Sequence, residues 1–97
     1  MAGREYDIER VVIKAYHWAV KYLSTLPIHE SQKEIARDDN SITLEFHVRP
    51  TYDFFQALLQ QGDQIEIIGP QWVKEGMCRI AENILSYYKK KEDSAGT

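Results

Sequence analysis

The sequence has a single cysteine, Cys78, so no internal disulfide bond can form within the 97 residues. This usage is typical of a reducing compartment, where thiols remain free. The sequence also lacks any apolar run near the roughly 20 residues that a transmembrane helix needs. Its first residues are polar and charged, unlike a signal peptide. We therefore expect a cytoplasmic protein that makes no membrane contact.

Excess positive charge is also absent, because 12 lysines and arginines stand against 15 aspartates and glutamates, which gives a net charge of −3. A domain that binds DNA or RNA by itself needs a basic surface, since phosphate neutralisation dominates the affinity. The length fits one domain. We expect this domain over residues 10–91, between a flexible lead-in at 1–9 and a disordered tail at 92–97.

Residue patterns typical of catalysis are missing as well. The histidines His17, His29 and His47 fall on three different predicted elements and lack the paired spacing of metal ligands. Cys78 lies within a predicted helix among apolar neighbours, so we expect a small buried side chain and not a reactive thiol, which needs an open, electropositive setting. No glycine-rich phosphate loop or nucleophile elbow occurs. We expect no enzyme activity, no metal site and no cofactor.

What the sequence does have is clear periodicity. In residues 42–49 apolar residues alternate with polar ones, which predicts a strand with one buried and one exposed side. The buried side would be Ile42, Leu44, Phe46 and Val48, and the exposed side Thr43, Glu45, His47 and Arg49. Three further strands are predicted at residues 11–16, 33–37 and 64–68.

Helical spacing of apolar residues predicts three helices. The first follows strand 11–16 and stops before Pro27, the second begins after Thr51 and closes at Gly62, and the third runs from Pro70 to about Lys91. The apolar side of the third helix would be Val73, Met77, Ile80, Ala81, Ile84 and Tyr88.

The predicted order is β-α-β-β-α-β-α, and its first six elements match the split βαβ arrangement of ferredoxin-like domains. We therefore predict an α+β fold: a ferredoxin-like βαββαβ unit with a four-stranded antiparallel sheet, two helices on one face, and an additional C-terminal helix. The packing site of that last helix cannot be derived from the periodicity.

The exposed side of the predicted strand 42–49 is a candidate binding surface, to which Lys14 on the neighbouring strand would add. RNA-recognition domains share the element order, but they stack bases on exposed aromatic residues, and this strand offers none. The polar set Lys14, His47 and Arg49, with Glu45 between them, fits a protein contact or an anionic ligand, since arginine offers paired donors to oxyanions. A merely solvated face is the alternative.

Three further residues have two interpretations each. His29 and Gln32 follow Pro27 in a loop, where they either turn the chain or contact a neighbouring protein surface. Trp72 lies on the last helix away from the side of Val73, where it either belongs to an interface or packs against the edge of the core.

Three segments of the sequence resemble one family. They are YLSTLPIHESQ at residues 22–32, LLQQGDQIEIIGP at residues 58–70, and the closing helix from Trp72 to Tyr88. In order and spacing they are similar to the WCX domain, the C-terminal extension of bacterial WYL-domain transcriptional regulators. The resemblance extends from about Val11 to Lys90.

The resemblance implies a non-catalytic regulatory domain. In that family a helix-turn-helix domain binds DNA, a WYL domain senses a ligand or nucleic acid, and WCX segments are implicated in dimerisation and in modulating the effector response. Its expected partners are the WYL and helix-turn-helix domains of the same regulator and a second copy of the chain, with DNA contacted only through a missing N-terminal domain. A domain that binds a small anionic or nucleotide-like effector is the alternative function.

Overall fold

The computed structural model describes residues 7–96, with side chains for residues 7–89. Its elements are β1 (Glu9–Tyr16), α1 (Trp18–Thr25), β2 (Lys33–Arg37), β3 (Ser41–Val48), α2 (Tyr52–Leu59), β4 (Ile65–Gly69) and α3 (Gln71–Gly96), with a short 3-10 turn at Gly62–Gln64. This confirms the predicted order and the α+β class. Residues 1–6 of the predicted lead-in and the last residue of the predicted tail lie outside the described part.

The strands form one antiparallel sheet in the order β2-β3-β1-β4. The two central strands pair over their full length, from Glu9 opposite Val48 to Tyr16 opposite Ser41. Buried residues of both α1 and α2 join one core cluster with the alternate residues of β1 and β3. The two helices therefore cover the same face of the sheet, which is the predicted ferredoxin-like arrangement.

The core lies between that face and the helices, and Phe46 is among its largest side chains, fully buried on β3. Its ring contacts Phe54 of α2 edge to face, with the ring centroids 5.5 Å apart. The predicted alternation on this strand is confirmed, because Ile42, Leu44, Phe46 and Val48 are all buried. The strict register follows from the two-residue period of a strand, since a slip by one residue would expose the whole apolar set.

Strand β3 ends one residue earlier than predicted, at Val48. The next residues form a tight turn around Pro50, in which the Thr51 N–H donates to the Arg49 carbonyl at 2.7 Å. Proline has no N–H to contribute to a strand ladder. Arg49 therefore lies beyond the paired part of the strand, in the connection to α2.

Helix α3 continues to Gly96, beyond the predicted end at about Lys91. The chain is thus helical over residues 92–96, where the sequence suggested a disordered tail. Residues 92–95 contain no proline or glycine, and two of the four, Glu92 and Ala95, are good helix formers. At the other end, Val73 and Lys74 both donate their N–H groups to the Pro70 carbonyl, so Pro70 precedes the first helical residue.

Only the first part of α3 packs against the domain. Val73 is fully buried, Met77 contacts the core, and a Cβ atom at Gly76 would lie only 3.0 Å from the ring of Phe55 on α2. From position 81 to 89 every side chain is exposed. The apolar side predicted for this helix is therefore buried only in its first turns. Within the described residues no helix is both long and apolar enough to cross a membrane.

Candidate functional site

The sheet face opposite the helices, here called the outer sheet face, carries three of the candidate side chains, Lys14, Glu45 and His47. Because side chains alternate along a strand, this face bears the residues between the buried ones. On β1 and β3 they are Arg10, Val12, Lys14, Tyr16, Thr43, Glu45 and His47. β4 adds Glu66, which is paired with Lys14 in the register. The face is therefore largely polar, with Val12 and the exposed Ile68 of β4 as its apolar members.

Glu45 lies between Arg10 and His47 on the outer sheet face. Its carboxylate accepts a hydrogen bond from the Arg10 guanidinium and lies 3.5 Å from His47 Nε2. The Arg10 hydrogen bond, helped by the nearby His47, holds the pKa of the Glu45 carboxyl below its ordinary value. The sequence analysis did not identify Arg10 as a candidate, because only the register between β1 and β3 places it directly opposite His47.

A second group of polar contacts lies further along β1. The Tyr16 hydroxyl donates a hydrogen bond to Glu66 Oε1 at 2.7 Å, and this bond raises the pKa of Tyr16. The Lys14 ammonium lies 5.9 Å from the centre of the Tyr16 ring, within reach of a weak cation–π interaction. These contacts leave charges of both signs on the outer sheet face.

Lys14, His47 and Arg49 do not come together as one anion site. The register pairs Lys14 with Thr43, while Arg10, four residues away along β1, faces His47. At about 3.3 Å per residue this places Lys14 roughly 13 Å from the His47 position. Arg49 lies past the end of the strand. Glu45 also repels an anion beside His47.

The loop after α1 is held by the polar side chains of the motif at residues 29–32. Gln32 Nε2 donates to the Leu23 carbonyl at 2.9 Å, and the Ile28 N–H donates to Gln32 Oε1 at 2.9 Å. The Ser31 hydroxyl oxygen accepts the N–H of His47 at 2.9 Å. For Gln32 the structure thus agrees with the interpretation that it shapes the chain, by tying the loop to α1.

His29 is oriented by Ser31. Its Nδ1 accepts the Ser31 N–H at 3.0 Å and lies 2.8 Å from the Ser31 hydroxyl, which can donate to it. A ring nitrogen that accepts a backbone N–H carries no proton of its own, so in the neutral ring the proton is on Nε2. His29 therefore keeps one hydrogen-bond donor for another partner.

His29 and Arg49, two of the predicted candidates, line the same depression, here called the β3–α2 pocket. Its volume is about 330 Å³, and it lies between the loop after α1, the end of β3 and the first turns of α2. Thr51 and Asp53 add polar groups to the rim, while Val48 and Phe54 belong to the buried core beneath. Only the fold brings these segments together, since 20 residues separate His29 from Arg49 in the sequence.

The exposed part of α3 carries a group of large apolar side chains, here called the distal α3 stripe. Its members, with their exposed fractions, are Ile84 (47%), Leu85 (51%), Tyr87 (72%) and Tyr88 (68%). Trp72, near the start of the same helix, is also 45% exposed. Periodicity predicted the helix but not this exposure.

The residues that the sequence raised as possible metal ligands or as a thiol lie apart in the structure. In the part of the chain that the structure describes, no cluster of three or more His, Cys, Asp or Glu side chains is arranged to hold a metal ion. Cys78 is exposed, so the prediction that it is buried was wrong. One position in a helix is a rotation of about 100°, which turns Cys78 away from the core that Met77 contacts.

Comparison with known proteins gives one finding about the family. The model of the WCX domain family matches residues 7–85, which includes both sheet faces, the β3–α2 pocket and the start of the distal α3 stripe. No curated protein matches the chain.

Proposed function

Because this chain belongs to the WCX domain family, we propose that it acts by contact with other protein surfaces, as a regulatory domain of a WYL-type transcriptional regulator. The contact is made with the WYL domain or with a second copy of the chain, and it modulates the response to an effector. DNA binding is the task of a helix-turn-helix domain in such a regulator. The domain itself performs no chemistry.

The distal α3 stripe is the observation that carries this proposal. Four large apolar residues are about half exposed or more within five consecutive positions. Contiguous apolar patches of this kind on soluble proteins mark interaction sites, because burying apolar surface yields roughly 25 cal/mol per Å². The stripe continues the side of α3 that Val73 and Met77 use for the core. A partner on it would therefore extend the hydrophobic core of the domain.

The distal α3 stripe can supply part of an interface with a second copy. A fully buried tyrosine contributes on the order of 150–250 Å². Since Tyr87 and Tyr88 are 72% and 68% exposed, together they can supply roughly a third of the roughly 800 Å² per partner of a stable interface. Two helices that cross antiparallel near Leu85 would bring their stripes together. They would also keep the lysines at positions 89–91 of the two copies apart, whereas a parallel pair would place them side by side.

The outer sheet face supports a second, more polar contact. Its charges are of both signs, and the pairs of Arg10 with Glu45 and of Tyr16 with Glu66 are exposed. Exposed charges of this kind contribute little to affinity but orient a partner and select against wrong ones. The outer sheet face would therefore orient a bound WYL domain, while the distal α3 stripe contacts a second copy of the chain.

Analytical ultracentrifugation over a wide range of protein concentration tests the proposal. We compare the wild-type chain with Leu85→Glu, and use Ser86→Glu as the control, since it adds the same charge on the next residue, turned away from the stripe. Wild type and control should self-associate alike. Leu85→Glu should weaken the association at least about tenfold, because a charge would be buried in an apolar contact.

The same pair of variants placed in a regulator that also carries the WYL and helix-turn-helix domains identifies the partner. If the isolated chain stays monomeric, loss of regulated DNA binding in the Leu85→Glu regulator alone indicates contact with the WYL domain. The proposal is wrong if Leu85→Glu changes neither self-association of the chain nor regulated DNA binding.

A further inference from the structure

We propose that the β3–α2 pocket binds a small zwitterion, with a free apolar α-amino acid as its chemical class. This site is separate from the distal α3 stripe, and its role does not depend on the protein contacts proposed above. Four features of the pocket carry the inference: its size, an arginine without a carboxylate partner, an oriented histidine donor, and an acidic group in the same lining.

The size limits the ligand. A volume of about 330 Å³ is near the lower end of the roughly 300–1,000 Å³ typical of small-molecule sites. A free amino acid fits within a pocket of this size.

Arg49 supplies the group that recognises a carboxylate. Among the described residues, Arg10 pairs with Glu45 and Arg37 pairs with Glu34, but Arg49 forms no ion pair or side-chain hydrogen bond. The turn at Pro50 places it on the rim of the pocket and away from those glutamates. A planar guanidinium binds a carboxylate with two parallel hydrogen bonds.

His29 adds a donor on the same rim. Because Ser31 occupies Nδ1, the neutral His29 ring presents its N–H at Nε2. The Ser31 hydroxyl oxygen in turn accepts the N–H of His47 on β3, so the ring is anchored to the sheet. A donor whose position is already set loses little conformational freedom on binding, which favours affinity.

Asp53 determines which anions fit. It lines the pocket from the first turn of α2, so the lining carries one acidic group together with the positive charge of Arg49. This charge repels a dianion such as phosphate and attracts an ammonium group. A zwitterion, with a carboxylate toward Arg49 and an ammonium toward Asp53, matches both. The apolar residues of the lining, including Val48, Phe54 and Ala57, suit an aliphatic side chain.

Titrations followed by NMR on the ¹⁵N-labelled chain test this site. The probes are L-leucine, 4-methylvalerate, which lacks the ammonium, isoamylamine, which lacks the carboxylate, and inorganic phosphate. We expect L-leucine to cause saturable shifts of the His29, Arg49 and Ala57 amide signals. The three other probes should bind at least about tenfold more weakly, because each loses one charge-assisted contact or meets Asp53.

Two variants and a control link the binding to the named groups. Arg49→Gln should weaken L-leucine binding at least about tenfold, and Asp53→Asn should remove the preference for L-leucine over 4-methylvalerate. Arg79→Gln, an exposed arginine on α3 outside the pocket, should change neither. The dispersion of the same spectra reports whether each variant is folded. The inference is overturned if L-leucine causes no saturable shifts at these residues, or if 4-methylvalerate binds the wild type equally well.

Discussion

Phe46 and Glu45 are neighbours on β3, yet they lie on opposite faces of the sheet, one apolar and buried and the other polar and in contact with water. Phe46 is fully buried and packs on Phe54, while Glu45 forms exposed pairs with Arg10 and His47. Burial of a large apolar side chain contributes about 1.5–3 kcal/mol, whereas exposed ion pairs are screened by water and contribute little. The comparison indicates that one face holds the fold together, and the other is free to change for a partner.

Truncation on the core face should have the largest effect. Phe46→Ala should lower the free energy of unfolding by about 3–5 kcal/mol, because it removes a fully buried ring and leaves a cavity. Chemical denaturation measures this. The control is His47→Ala on the outer sheet face, which should stay within about 0.5 kcal/mol of wild type. Equal losses in the two variants would contradict the division between the faces.

Loss of the loop anchor should have an intermediate effect. Gln32→Ala removes two hydrogen bonds and leaves the Leu23 carbonyl and the Ile28 N–H without those partners. We expect a loss of about 1–2 kcal/mol by chemical denaturation, since the site is only partly buried. Glu30→Ala, an exposed change in the same loop, is the control and should be nearly neutral. An unchanged Gln32→Ala variant would mean that the loop is held by its backbone alone.

Acidification should reveal the pairing on the outer sheet face. Folding lowers the pKa of Glu45 below its ordinary value of 4.5, first through the Arg10 hydrogen bond. The stabilisation from Glu45 is therefore fully present above pH 4.5 and is lost as the pH falls through the lowered pKa.

Urea denaturation of wild type, Glu45→Gln and Arg10→Gln between about pH 6 and about pH 3 measures this effect. Both variants should lose less stability on acidification than wild type does, because each removes the same pair. Asp38 and Glu34, whose pKa values are also lowered, contribute equally in all three proteins. Parallel pH curves for the three proteins would rule out the Arg10–Glu45 contribution.

The smallest effect on stability is expected at the pocket rim. Arg49→Gln should leave the free energy of unfolding, measured by chemical denaturation, within about 0.5 kcal/mol of wild type, since Arg49 is exposed and has no ion-pair partner among the described residues. A clear destabilisation would show that Arg49 supports the turn at Pro50, which would weaken the case for a ligand-binding role.

The sequence alone predicted much of this fold. The alternation in residues 42–49 identified the buried side of β3, and the bounds predicted for β2 are those observed. It also marked His29 and Arg49 as candidates. It could not pair them, because they lie on different elements and only the packing of the loop against β3 and α2 brings them to one pocket.

What the sequence determined by itself is therefore local: the element order, the buried side of β3, and the motifs that resemble the family. The first two depend on periodicities of two or 3.6 residues, which each segment carries independently of its neighbours. The tertiary structure decided which of the apolar sides of the helices and strands are covered by another element. Val73 and Ile84 follow the same helical pattern, but only Val73 joins the buried core cluster, because the helix extends beyond the elements that could cover Ile84. The two-residue period of β3 likewise predicted that Phe46 is buried and Glu45 lies on the other face. The pairing of Glu45 with Arg10 was not predictable, because it depends on the register between β1 and β3.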